Sequence, residues 1–183
     1  LDHAHAAKGE DERPLGLVHR DVTPDNIMIS YDGAVKLLDF GIAKAEARSH
    51  KTQAGVVKGK LGYMSPEQLR GEEIDHRVDV FGLGIVLYEM LTGERLFLGP
   101  SDMDTLRRVY EAKAIVRGPV PKLADRLKDP PPELEAIIAR CLAKKREDRF
   151  QSAGELQEAL SRFIANRDEV VTARRVKELM EKL

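Results

Sequence analysis

The chain holds 183 residues, 33% charged and 42% hydrophobic, with a formal net charge of -1. That is one domain's worth of sequence with enough apolar content for a sizeable core, and its balanced net charge makes no electrostatic case for nucleic acid or an anionic membrane. The single cysteine, Cys141, excludes an internal disulfide framework and reads as a buried, inert thiol in a reducing, cytoplasmic compartment.

In chain order, the sequence opens inside a helix, Leu1 to Ala7, without initiator methionine or signal peptide, so the N-terminus reads as cut. This helix is expected to end near Lys8-Gly9, with glycine as its C-cap. A polar loop, Glu10 to Pro14, follows. Ile27-Met28-Ile29 and Val35-Lys36-Leu37-Leu38 are short β-prone runs joined by the hairpin signal Tyr31-Asp32-Gly33. From Ile42 to Gly62 the chain is polar and aperiodic, the pattern of a long functional loop. Arg77 to Thr92 is strongly apolar and stops at Gly93, which predicts a central buried helix. Its apolar stretch from Val80 to Leu91 carries Glu89 and is too short to cross a bilayer, so no membrane segment is expected.

Further helices are predicted over Asp102 to Lys113, Pro131 to Lys144 and Ser152 to Ala165. Proline is tolerated at the start of the second, and Ser152 with Glu155 predicts a capping box at the third. A last helix, Thr172 to Leu183, carries Val176, Leu179, Met180 and Leu183 on one face. Two short strands followed only by helices describe a mainly α domain with a small β-hairpin.

The chemistry concentrates around that hairpin. His19-Arg20-Asp21 precedes Asn26 by a short turn, and Asp39-Phe40-Gly41 follows the second strand. A carboxylate that orients a hydroxyl and takes its proton, with an amide and a second carboxylate to hold magnesium, is the equipment of phosphoryl transfer. These motifs resemble the catalytic and magnesium loops of eukaryotic-type (Hanks-type) bacterial serine/threonine protein kinases. The resemblance covers roughly residues 1–164, the large C-terminal lobe, and leaves 165–183 as a flanking helix or linker.

The resemblance implies ATP and Mg2+ as cofactors, protein substrates as partners, Asp21 as base, and Asn26 and Asp39 as magnesium ligands. By the same mapping Met28 lies under adenine with Val86 and Met90 packed beneath, and His19 and Phe40 stack in a spine. Asp79 supports the His-Arg-Asp turn. Gly62-Tyr63-Met64-Ser65-Pro66-Glu67 resembles the close of an activation loop, whose glutamate pairs with an arginine far along the chain, here Arg149. Arg20 implies pairing with a phosphorylated loop residue, with Thr52 preferred over Ser49. Two residue types stand exchanged relative to the family: Thr23 replaces the lysine two residues after the base, and Lys60 replaces a loop threonine. Lys60 is therefore expected to supply the cation that position 23 lacks. The same exchange loosens the choice between serine/threonine and tyrosine acceptors.

A glycine-rich loop, its lysine strand and the partner glutamate are absent from these 183 residues. The segment alone is expected to be inactive, and its upper face to expose apolar surface suited to self-association. The alternative is a pseudokinase-like scaffold, against which the retention of Asp21, Asn26 and Asp39 argues.

Overall fold

The computed structural model describes residues 1–40, 61–97, 114–120, 122–167 and 172–181. The predicted helix over Asp102 to Lys113 lies outside these residues, as do Gly41, Thr52 and Lys60.

The first helix, α1, is Asp2–His5 and closes at Ala6 in right-handed conformation. Gly9 is therefore not its C-cap. The backbone groups that would have extended the helix are used in a closed turn instead. Lys8 bridges to Pro14, Gly9 N–H donates to Arg13 O at 2.9 Å, and Leu15 N–H returns to Ala7 O at 2.9 Å.

The hairpin forms where alternation and turn residues place it. Strands β1 (Ile27–Ile29) and β2 (Val35–Leu37) pair antiparallel, with Ile27 opposite Leu37 and Ile29 opposite Val35. Gly33 supplies the turn with φ of 85°, a conformation open to glycine at little cost. The predicted second strand loses its last residue: Leu38 N–H still donates to Asn26 O at 2.8 Å, but Asn26 belongs to the turn Pro24–Asn26, so the first strand has no residue left to pair with it.

Helix α2, Pro66–Arg70, opens on a capping box in which Ser65 accepts from Gln68 N–H and Gln68 Oε1 accepts from Ser65 N–H. Helix α3, Arg77–Thr92, matches its predicted bounds and ends at Gly93 with φ of 69°. After the single turn α4, Ala114–Arg117, come α5, Pro132–Cys141, α6, Ala153–Ala165, and α7, Ala173–Met180. The predicted α5 ran to Lys144. It stops at Cys141, and the guanidinium of Arg149 then takes the carbonyls of Ala143 and Lys144. The predicted capping box of α6 is only half formed. Ser152 accepts from Glu155 N–H at 3.0 Å, but the Glu155 carboxylate accepts from Gln151 N–H rather than from Ser152.

Helix α3 is buried on nearly all sides, and α5 and α6 pack against it. Phe81, Ile85 and Tyr88 meet Leu134, Ile138 and Leu142, while Val80 meets Ile137, Cys141, Phe150 and Leu156. Gly84 makes this crossing close: a Cβ there would stand 2.5 Å from the Cβ of Cys141. Burial pushes the Cys141 thiol up to about 12, so it is inert as a nucleophile. Val86 is buried, whereas Met90 is 74% exposed. Its position at the solvent face of the last turn of α3 takes it away from the core. Leu15, Met28, Ile29, Tyr31 and Val35 are exposed around the hairpin.

Candidate active site

The site is assembled by one buried carboxylate. Asp79, in the first turn of α3 and 1% exposed, accepts from His19 N–H at 2.8 Å through Oδ2 and from Arg20 N–H at 2.7 Å through Oδ1. These bonds hold Arg20 at φ of 68°, a left-handed conformation that costs a non-glycine residue about 1–3 kcal/mol. Gln68 Nε2 adds a bond to Arg20 O at 3.3 Å. The strained residue directly precedes Asp21, so the anchor sets where that carboxylate stands. Gly82 lets the loop sit close on α3, since a Cβ there would lie 3.1 Å from both Val22 Cβ and Val22 O.

Asp21 is buried, at 8% exposure, and its carbonyl accepts from Asn26 Nδ2 at 2.7 Å. With its nitrogen so used, the oxygen of the Asn26 amide is the atom left for a cation. The hairpin brings the second acid alongside. Pairing of Ile27 with Leu37, continued by the bond from Leu38 N–H to Asn26 O, puts Asp39 one residue past the partner of Asn26. Asp39 stands at φ of 57° and makes no hydrogen bond or ion pair among the described residues.

The donor set fits magnesium. No group of three or more His, Cys, Asp or Glu side chains could cage a metal among the described residues. An amide oxygen and a free carboxylate, completed by water and phosphate oxygens, suit a hard cation that keeps part of its hydration shell.

His19 fixes the other side of the hairpin. It is fully buried; its Nε2 bonds Leu38 O at 2.8 Å and its Nδ1 accepts from Asp21 N–H at 3.3 Å. Its ring lies 4.7 Å from that of Phe40, tilted by 59°, within the range of favourable aromatic pairs. The structure thus brings His19, Asp21, Asn26, Asp39 and Phe40 together around β1 and β2, with Asp79 beneath them.

Comparison with known proteins decides the family. The model of the protein kinase domain matches residues 10–162. The chain belongs to the protein kinase family. The tyrosine-protein kinase MasK of Myxococcus xanthus is 45% identical over 165 residues, covering 90% of this chain and 25% of MasK. The serine/threonine-protein kinase PknB of Mycolicibacterium smegmatis is 46% identical over 149 residues, covering 80% of this chain and 23% of PknB. PknB of Mycobacterium tuberculosis is 45% identical over 149 residues, with the same coverage. The chain spans about a quarter of the length of these curated relatives.

Within this kinase domain, the far pair of charges also meets. Arg149 Nη1 and Nη2 donate to the two carboxylate oxygens of Glu67 at 2.6 and 2.8 Å, with both side chains buried. Thr23 is 1% exposed at the N-cap of the turn Pro24–Asn26, yet its hydroxyl does not cap that turn and has no hydrogen-bond partner among the described residues. The Nε of Arg20 is likewise buried and without a partner among the described residues. Met28 is 53% exposed on β1.

Two features escape motif reading. His5 of α1 bonds Asp79 Oδ2 through Nε2 at 2.7 Å, joining the N-terminal helix to the anchor of the His19-Arg20-Asp21 turn across a separation of 74 residues. Tyr63 donates to Glu89 Oε2 at 2.7 Å, and burial together with that bond pushes the phenol well above its ordinary range. Glu89 also accepts from Leu96 N–H at 3.0 Å, so this acid is already engaged inside the domain.

Replacing Asp79 with Asn puts an amide N–H2 where three donors converge. Hydrogen bonds to a charged group contribute about 1.5–3 kcal/mol, so Asp79→Asn should destabilise the fold by about 2–3 kcal/mol. Denaturant melts of the variant check this; an unchanged midpoint would remove Asp79 as the anchor.

Proposed function

We propose that residues 1–164 are the larger, C-terminal lobe of a protein serine/threonine kinase domain, with 165–183 flanking it. In this reading the full-length protein moves the γ-phosphoryl group of ATP to serine or threonine hydroxyls of protein substrates. The observation that carries it is the convergence of Asp21, Asn26 and Asp39 at the base of one hairpin, with Asn26 tied to the backbone of Asp21.

Asp21 orients the acceptor hydroxyl and takes its proton. Asn26 and Asp39 hold magnesium, which when bound offsets the negative charge of the nucleotide phosphates. Met28, exposed on β1, offers an apolar face to adenine. Lys60 supplies a cation near Asp21, where Thr23 supplies none. Arg20, whose Nε has no partner among the described residues, pairs with a phosphate on Thr52 and so couples loop modification to the catalytic turn. His19 and Phe40 with Gly41 hold the hairpin in register with the site, and the Glu67–Arg149 pair braces the segment leading into α2.

Tyrosine is the competing acceptor, favoured by the neutral Thr23 beside Asp21 and by the name of MasK. The full-length protein, given ATP, magnesium and a protein substrate, should label serine and threonine on phosphoamino-acid analysis. A chelator should stop transfer, and Asp39→Asn should cut it by about 10²–10³-fold, the scale of losing several kcal/mol of metal-centred stabilisation. No transfer by the unaltered protein would sink the reading, and phosphotyrosine alone would reassign the acceptor. The 183 residues alone should be inactive.

A further inference from the structure

The whole-chain charge of -1 conceals a local arrangement on α7. This helix, opened by a bond from Arg175 N–H to the hydroxyl of its N-cap Thr172, has no buried residue among its described side chains. Leu179 is 57% exposed. At roughly 100° of rotation per residue, Val176, Leu179 and Met180 form one apolar stripe. Arg175 and Lys177 stand about 100° to either side of Val176, one on each edge of the stripe. Glu178 and Glu181 lie at the opposite pole, about 140–160° away, together with Arg174.

Among the described residues, every ion pair of α7 is internal. Arg174 and Arg175 reach Glu178 at 3.4 and 3.5 Å, and Lys177 reaches Glu181 at 3.9 Å. All these side chains are solvent-accessible, so the pairs hold the helix only weakly and do not commit its cations.

We propose that α7 is an interfacial helix that lays its apolar stripe on an anionic phospholipid surface. The distribution of charge selects this occupant. Long basic stems on both edges of a stripe can extend their apolar parts along acyl chains and place their cations at lipid phosphates. Acids at the far pole stand furthest from that negative surface. A second copy of α7 is a poor match: facing stripes, parallel or antiparallel, bring basic edge against basic edge with no acid on either.

The test is sedimentation of the 183-residue chain with phosphatidylcholine vesicles, with and without phosphatidylglycerol. Binding is expected only with the anionic lipid and should weaken with salt. Arg175→Gln and Lys177→Gln, which keep the helix, should each lower affinity about fivefold, the effect of one basic residue at such a surface. Leu179→Glu should abolish binding. The exposed apolar residues near the hairpin serve as internal control, because they are untouched in all three variants. Binding to neither vesicle, equal binding to both, or binding that survives Leu179→Glu would overturn the proposal. Light scattering that shows a dimer lost in Leu179→Glu, without vesicle binding, would assign the stripe to a second copy.

Discussion

Glu67→Gln should be the most damaging single change to the fold, lowering stability by about 3–5 kcal/mol. Arg149 is fully buried and cannot turn to water when its partner is neutralised. Its guanidinium is held at the carbonyls of Ala143 (2.8 Å), Arg77 (3.2 Å) and Lys144 (3.3 Å) and lies 4.8 Å from the ring of Phe81. Those contacts satisfy its protons, but among the described residues only Glu67 pairs with its charge. For a domain of this size the loss corresponds to a melting point lower by roughly 6–20 °C. Removing both partners, as in Glu67→Met with Arg149→Met, should cost less than the sum of the single changes, because no charge is then stranded.

The same pair predicts an acid limb. Burial opposes ionisation of Glu67, yet the hydrogen bonds and charge of Arg149 outweigh it and hold the carboxyl below its ordinary value. A depressed folded pKa means the stabilisation is complete above the unfolded value of about 4.3 and is lost as pH falls through the folded one. Melting midpoints of the wild type should therefore drop below that pH, and Glu67→Gln should flatten the dependence. Asp75, lowered to about 2 by Arg77 against the effect of burial, adds to the limb at still lower pH.

What the sequence made legible and what it hid divide along physical lines. The hairpin and α3 could be read because local signals agree: β-prone runs around Tyr31-Asp32-Gly33, and an apolar stretch closed by Gly93. The spacing of Asp21, Asn26 and Asp39 was readable because one turn and one short hairpin connect them. The end of α1 was not, since Gly9 offers a C-cap signal while the bridge between Lys8 and Pro14 wins the backbone. Nor was the end of α5, where the carbonyls beyond Cys141 are taken by an arginine brought in by tertiary packing. The role of His5 was invisible for the same reason: its partner Asp79 lies 74 residues away, and no local rule links them. Thr23 was legible as a departure from the family's lysine, but the sequence carried no sign that its hydroxyl would be buried and leave the turn Pro24–Asn26 uncapped.

Asp21→Asn should lower kcat of the full-length protein by about 10²–10⁴-fold, the range of a positioned general base. The amide keeps the shape of the carboxylate, and two backbone contacts of this residue survive the change: its carbonyl accepts from Asn26, and its N–H faces His19 Nδ1. The drop in kcat should thus far exceed any change in KM for ATP. This separates the base from its anchor. Asp79→Asn loosens the turn at Arg20 and should depress stability and kcat together, because it moves Asp21 rather than removing its charge. Steady-state kinetics beside thermal melts of the two variants make the comparison. If Asp21→Asn kept transfer within about tenfold of wild type, proton removal by this carboxylate would fall below the range for a general base. Positioning by Asn26, Asp39 and the strained turn would then have to account for the rate on its own.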